Sequence, residues 1–441
     1  MQLLTRRAVT AAAAAALLLT AAACSNDSSA DPDPDSPVQI RFAWWGSGER
    51  NELTQGVIDL FEEANPDVVV SGEPSEFGAH WERLTVQGAS GGAPCVPQQQ
   101  SRYVADYATR NQLVDLGPLI EDGSIDVSGI PELLLGAGEL DGTQYMIPYG
   151  SFYYTGFYNR TLLEEYGLPE PTADWDWAEW EQWLYAARDA IPADMYVTDL
   201  AAAQDLTGLF QNWVVSNGDA IYGDGELGFS EATLVEWYDL WLRFIEDGIS
   251  TTPQMLGERG LTIEENPLAL GQTIWWPAPD NQLSQFNAAS AGAGAGEIWM
   301  DKLPNGPDGA GEVLGASGLS ISTSCDGDAE IAAAARFIDF WINDAEAAAL
   351  FASNNGTVTT TEFQEAQLQN SEESPYVYRQ IELARQVIDE FDPTAEVTPV
   401  GGRLPSDAFV RFAQAVWLGE QTPEAAAAAF FAEANASLAA G

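Results

Sequence analysis

The chain has one histidine, His80, one lysine, Lys302, and three cysteines among its 441 residues. A lone imidazole leaves almost no room for a histidine-based catalytic triad or a multi-histidine zinc site. The cysteines lack the close spacing of a metal knuckle. Positive charge is scarce, with 17 Lys and Arg against 67 Asp and Glu and a formal net charge of −50. That balance argues against nucleic acid as a partner and against a basic patch on an anionic bilayer. It also disfavours anionic ligands unless arginines gather locally. The acids are spread along the chain, so most of them read as a solvated surface. No internal repeat is found.

One apolar run is present, Ala8 to Ala23, behind Arg6 and Arg7. A basic start, a short apolar stretch and small residues before Cys24 have the form of a secretory signal. The run is too short for a comfortable bilayer span, which takes about 20 residues. "TAAAC" resembles a bacterial lipobox, with Ala21 where Leu is usual. The paired arginines fit a twin-arginine signal poorly, given Thr5 and Val9. Residues 1–23 are therefore expected to be a lipoprotein signal peptide. Cleavage would leave a diacylglycerol-bearing Cys24, and 24–37, "CSNDSSADPDPDSP", would be a flexible tether. The protein is expected outside the cell, lipid-anchored to the membrane face without crossing it. Cys95 and Cys325 remain as an even pair in an oxidising compartment, where a disulfide and two buried thiols are both open readings.

The mature chain exceeds one compact core, so two domains or lobes are the default. Val38, Ile40, Phe42 and Trp44 alternate with Gln39, Arg41 and Ala43, which predicts a strand. Leu53, Val57, Leu60, Phe61 and Ala64 share a helical face that Asn65-Pro66 ends. Val68–Val70 reads as a buried parallel strand, Trp81, Leu84 and Ala89 as a helix, and a third strand follows Cys95-Val96. This β-α-β-α-β-α opening begins an open parallel sheet. Asp141-Gly142 marks a turn, and Asp176 and Glu179 form a capping box before Trp177, Trp180 and Trp183. Those tryptophans, like Leu234, Trp237, Tyr238 and Trp241, recur at helical spacing and read as core. Leu319 and Ile321 suggest a returning strand near Cys325. Helices are expected at about 328–343 and 375–391, and Thr422-Pro423 opens the last one. His80 reads as a partly exposed residue at a helix entry.

Several stretches in order, "VIDLFEEANPDVVV", "LTVQGASGGAPCV", "LDGTQYMIPY", "GFYNRTLLEEYGLPEP", "ENPLALGQTIWW", "AARFIDFWIN" and "GEQTPEAAAAAF", resemble the family 1 extracellular solute-binding proteins of ABC importers, the maltose-binding protein group. The resemblance implies an α/β, two-lobed periplasmic-binding-protein-like fold of type II. Each lobe would hold an open, mostly parallel sheet flanked by helices, with crossing hinge strands between them. One lobe would comprise 38–151 with 317–357, the other 152–316 with 358–441. It also implies a Cys95–Cys325 disulfide: Cys95 stands where the family usually has Asp, at the start of the third strand, and Cys325 ends the strand expected beside it.

The tandem Trp44-Trp45 stands at a strand end, where ligands of open α/β sheets sit. Trp44 continues the buried face, leaving Trp45 as a free ring to lie on a sugar face, beside Gly46 and Ser47. By resemblance the other ligand-binding candidates are Phe77 and Trp81 at the second helix, and Gln98, Gln99, Gln100 and Ser101 after the third strand. Ser151, Phe152 and Tyr153 lie at the first hinge and Ser317 after the return hinge. Trp276 and Asn281 follow "GQT", and Arg403 belongs to the last segment. The implied function is capture of a mono- or oligosaccharide and its delivery to an ABC permease by a monomeric receptor, with no catalytic residue, metal or cofactor. A peptide, polyamine or other cationic solute is the alternative ligand. An exported glycoside hydrolase is a third reading, which needs two carboxylates about 5–5.5 or 6.5–9.5 Å apart.

Overall fold

Alternation along the first strand, β1 (Val38–Trp45), buries Ile40, Phe42 and Trp44 on one face of a sheet. In this computed structural model, residues 36–46, 48–258, 262–369, 372, 374–391, 393–395 and 398–440 are described. The signal segment, Cys24, nearly all of the tether and Ser47 lie outside them. No helix among the described residues is long and apolar enough to cross a membrane.

Further strands are β2 (Val68–Ser75), β3 (Val96–Gln100), β4 (Ile147–Phe152), β5 (Tyr154–Asn159), β6 (Trp275–Pro279), β7 (Ile298–Asp301), β8 (Val313–Leu319), β9 (Thr357–Val358) and β10 (Thr394–Ala395). The larger sheet has seven strands in the order β9-β4-β8-β3-β1-β2, with β10 beside β8. β1, β2 and β3 run parallel, as the opening pattern predicts, while β8 is antiparallel to β3 and β4. The smaller sheet is β6-β5-β7. Its three regular strands are antiparallel, where a mostly parallel sheet was expected. Among the described residues, parallel pairing in this part of the chain takes the form of isolated bridges, Thr198 with Ser250 and Asp176 with Asn305.

Helices cover both faces of the large sheet. On one side α1 (Gly48–Ala64) packs Val57, Ile58 and Phe61, and α2 (Phe77–Ser90) and α3 (Ser101–Ala108) cover the other with Trp81, Leu84, Val104 and Tyr107. The tryptophan-rich core forms around α4 (Trp177–Ala190), α5 (Leu209–Ser216) and α6 (Glu231–Glu246), where Trp180, Trp237 and Trp241 are fully buried. Asp176 and Glu179 make the expected capping box of α4. α7 (Leu283–Ala293), α8 (Gly327–Asn343), α9 (Pro375–Phe391), α10 (Arg403–Trp417) and α11 (Pro423–Leu438) follow, the last capped by Thr422.

Two details bear on the expected division. Boundaries at 316/317 and 357/358 each cut a strand of the large sheet, β8 and β9. The apolar core of that sheet also continues into Phe157, Ala278 and Met300 of the small one. The return from β7 to β8 carries the only lysine: Lys302 and Glu312 form a fully buried ion pair at 3.1 Å. Cys95 and Cys325 are joined in a disulfide with Cα atoms 4.7 Å apart, although Cys325 lies beyond the end of β8 rather than on it.

Candidate ligand-binding site

The tandem tryptophans divide between two cores. Trp44 is 3 % exposed among the residues over α1 and α8, where it meets Phe42 at 5.1 Å. Trp45 points to the opposite face and is 4 % exposed, packed on Phe77, His80 and Trp81 at 5.2–5.6 Å. The expected free ring at Trp45 is therefore not found. A strand in the interior of a sheet covered on both sides has no open face to offer. His80 is buried beneath it, not partly exposed, and burial holds its pKa down to about 4. Its Nε2 donates to the Gln98 carbonyl at 3.0 Å, since a carbonyl can only accept.

What faces outward beside this cluster is Phe77, 43 % exposed, and half-buried Tyr103, which stacks on Trp81 at 3.8 Å. Tyr103 was not among the residues expected at the site. Its position on α3 gave only a helical period, and its neighbours come from α2 and α10. Arg403, exposed at the start of α10, holds its guanidinium 5.8 Å from the Tyr103 ring. Arg102 stands equally far from the ring of Phe152.

The glutamines lie inside β3, not after it. Gln98 serves the fold: its Oε1 accepts from the Trp45 amide at 2.8 Å, and its amide nitrogen meets the Tyr149 hydroxyl. Gln99 is fully buried, and neither atom of its amide has a partner in the protein. The same holds for Oε1 of Gln100, Oγ of Ser317, the hydroxyl of Tyr153 and Nε1 of Trp81. Gln100, Ser317 and Gly150 sit opposite one another across β3, β8 and β4. A Cβ at Gly150 would come within 2.7 Å of the Asn355 carbonyl, so glycine lets the segment before β9 approach. Each buried polar group left unpaired costs about 1–3 kcal/mol, so Gln100 and Ser317, opposite each other on two central strands, mark a place for a hydrogen-bonding partner.

Two candidates are used by the fold instead. Ser101 Oγ accepts from the Ala316 amide at 3.1 Å, and Ser151 Oγ donates to the Thr357 carbonyl at 3.4 Å. Gly46, half-buried, donates to the Ser75 carbonyl. Trp276 is half-buried on β6 and touches both large cores, and Asn281 follows in a short 3-10 turn. Between them Asp280 accepts from the Tyr153 amide, which links this strand end to the first hinge. The site residues thus form two connected groups. Trp45, Phe77, Trp81, Tyr103 and Arg403 are one; Gln99, Gln100, Ser317 and the Ser151–Tyr153 segment are the other, and Trp276 and Asn281 reach it through Asp280. A hollow of about 250 Å³ lies elsewhere, between α10 and α11, lined by Leu404, Asp407, Arg411, Glu433 and Ser437.

Comparison with known proteins gives this arrangement a family. Residues 56–375 match the profile of the bacterial extracellular solute-binding proteins. A Brucella abortus (strain 2308) chain described as a binding protein is 24 % identical over 400 residues, covering 89 % of this chain and 91 % of its own. Among solved structures, the ABC substrate-binding protein of Listeria monocytogenes in complex with cycloalternan is 20 % identical, with a TM-score of 0.75 over 91 % of this chain and 99 % of its own. The oligogalacturonide-binding protein of Yersinia enterocolitica, in complex with saturated digalacturonic acid, is 17 % identical with a TM-score of 0.77, covering 91 % and 98 %. The fold is the two-lobed one of periplasmic binding proteins, and the chain belongs to the bacterial extracellular solute-binding protein family.

Proposed function

We propose that this solute receptor binds a carbohydrate, a mono- or oligosaccharide, beside the central strands β3 and β8 of the large sheet, and hands it to the permease of an ABC importer. The observation that carries the reading is the set of buried neutral groups without protein partners: Gln99, Gln100, Ser317 and Tyr153. Sugar hydroxyls both donate and accept, which suits amides and hydroxyls better than charged side chains. Phe77, Tyr103 and half-buried Trp276 supply rings for the C–H faces of a pyranose. The similar Listeria and Yersinia proteins are described with saccharide ligands, which supports the same class here. Arg403 and Asn281 would meet hydroxyls at the rim.

The proposed lobes follow the two sheets, with crossings at Tyr153, at 302–312 and after β9. The lipid on Cys24 would keep the monomer near its permease, and lobe closure on sugar would present the docking surface only when loaded. A thermal-shift screen across a sugar panel tests the reading. A ligand at 100 times its Kd raises stability by about 2.7 kcal/mol. Stabilisation by peptides or polyamines, with none by sugars, would overturn it.

A further inference from the structure

At the first crossing between the sheets, one carboxylate lies where no charged partner can reach it. Asp280 follows β6 of the small sheet and is fully buried. Its backbone N–H donates to the Tyr153 carbonyl at 3.0 Å, and its Oδ1 accepts from the Tyr153 N–H at 3.2 Å. Tyr153 is the single residue between β4 of the large sheet and β5 of the small one. The other oxygen, Oδ2, lies 3.4 Å from the hydroxyl of Thr357 on β9, an edge strand of the large sheet. Gln380 of α9 donates to that hydroxyl at 3.1 Å. One side chain therefore ties the link, the small sheet and the large sheet's edge.

The groups around it supply no compensating charge. β9 carries none, and neither does α7. The facing titratable group is the Tyr153 phenol, which burial raises well above its ordinary value. On α9, Arg379 is committed to Asp301 of β7 at 3.2 Å and to Glu382 at 2.9 Å. Glu312 is committed to Lys302. A buried carboxylate without a cationic partner is costly even where backbone N–H groups and the Thr357 hydroxyl donate to it, whereas a neutral carboxyl keeps the Tyr153 and Thr357 contacts. Burial raises the pKa of Asp280 to about 8.

We propose that Asp280 is a proton-controlled clasp between the two sheets: neutral, it holds the link and the edge strand together, and ionised, it favours a more open arrangement in which water reaches it. No covalent step is involved; the proton goes to solvent as the pH rises. The clasp rests on the receptor reading in one respect, that the two sheets belong to lobes that move, and it is independent of which ligand is bound. The sign follows from linkage: the closed arrangement binds the proton more tightly, so raising the pH shifts the population towards the open one.

Small-angle scattering of the ligand-free protein from pH 6 to 9.5 tests this, with the wild type beside Asp280→Asn. Over that range His80 stays neutral, and the Asp280→Asn variant carries every other ionisable group of the wild type, so it controls for general charge repulsion. The radius of gyration of the wild type is expected to rise with a midpoint near pH 8, and that of Asp280→Asn to hold its low-pH value. A flat wild-type profile, or the same expansion in the variant, overturns the clasp. Hydrogen exchange of the wild type alone, corrected for the intrinsic pH dependence, guards against a variant that misfolds. Protection at Tyr153 and Asp280 should fall above pH 8, and unchanged protection there overturns the proposal equally. Neither measurement uses a sugar, so a failed sugar panel and a failed clasp are separate results.

Discussion

The chain contains two tandem tryptophans, and they end up in opposite circumstances. Trp44 and Trp45 are both buried, one on each face of β1, which lies between β2 and β3 in a sheet covered on both sides. Trp275 is fully buried as well, but Trp276 stays partly exposed, on an edge strand of the three-stranded sheet. Identical dipeptides thus become two core residues in one place, and a core residue with a partly exposed neighbour in the other. The strand's rank within its sheet separates them, and under the proposed function the ring offered to a sugar face would be Trp276, not the buried Trp45.

The largest effects should fall on the first pair. Trp44→Ala and Trp45→Ala should each cost about 3–5 kcal/mol, read from denaturant unfolding, because each empties a filled core. Trp276→Ala should cost less than half as much; an equal loss would erase the contrast. Reducing the Cys95–Cys325 disulfide should come next, at about 2–5 kcal/mol, since it ties the start of β3 to the segment after β8 across 230 residues of sequence. A melting midpoint that ignores reductant would count against that role.

Acid should also distinguish the pairs, because His80 lies 5.2 Å from Trp45 and 4.9 Å from Trp81. Its folded pKa, about 4, is below the ordinary 6.5, so the unfolded chain takes up the proton first. Stability should therefore fall as the pH drops from 6.5 and level off below 4, by about 3 kcal/mol in all. His80→Gln should remove that component from the pH profile. The smallest effect in energy concerns function. Trp276→Ala should weaken sugar binding by about 1 kcal/mol, roughly five- to tenfold in Kd by calorimetry, while Trp45→Phe leaves it unchanged.

Much of the scaffold could be read before any coordinates. The alternation in β1, the stop at Asn65-Pro66, the capping box at Asp176 and the helical runs of tryptophan all rest on local periods and local hydrogen bonds, and all are found. The site was less accessible. Gln99 and Ser317 were named by resemblance, yet that they lie on adjacent strands without side-chain partners depends on β8 returning beside β3 from far along the chain. Tyr103 and Asp280 were missed because nothing near them in the chain sets them apart. Their roles come from Trp81 and Arg403 in one case, and from Tyr153 and Thr357 in the other.

The amino-acid order alone settled where strands and helices begin and which of their faces are apolar, because a period of 2 or 3.6 residues is a property of neighbours. Strand order, and with it which tryptophan keeps a free face and which carboxylate lies unpaired at a crossing, was settled by packing. Those outcomes depend on what covers each face, and the covering elements are remote in the chain.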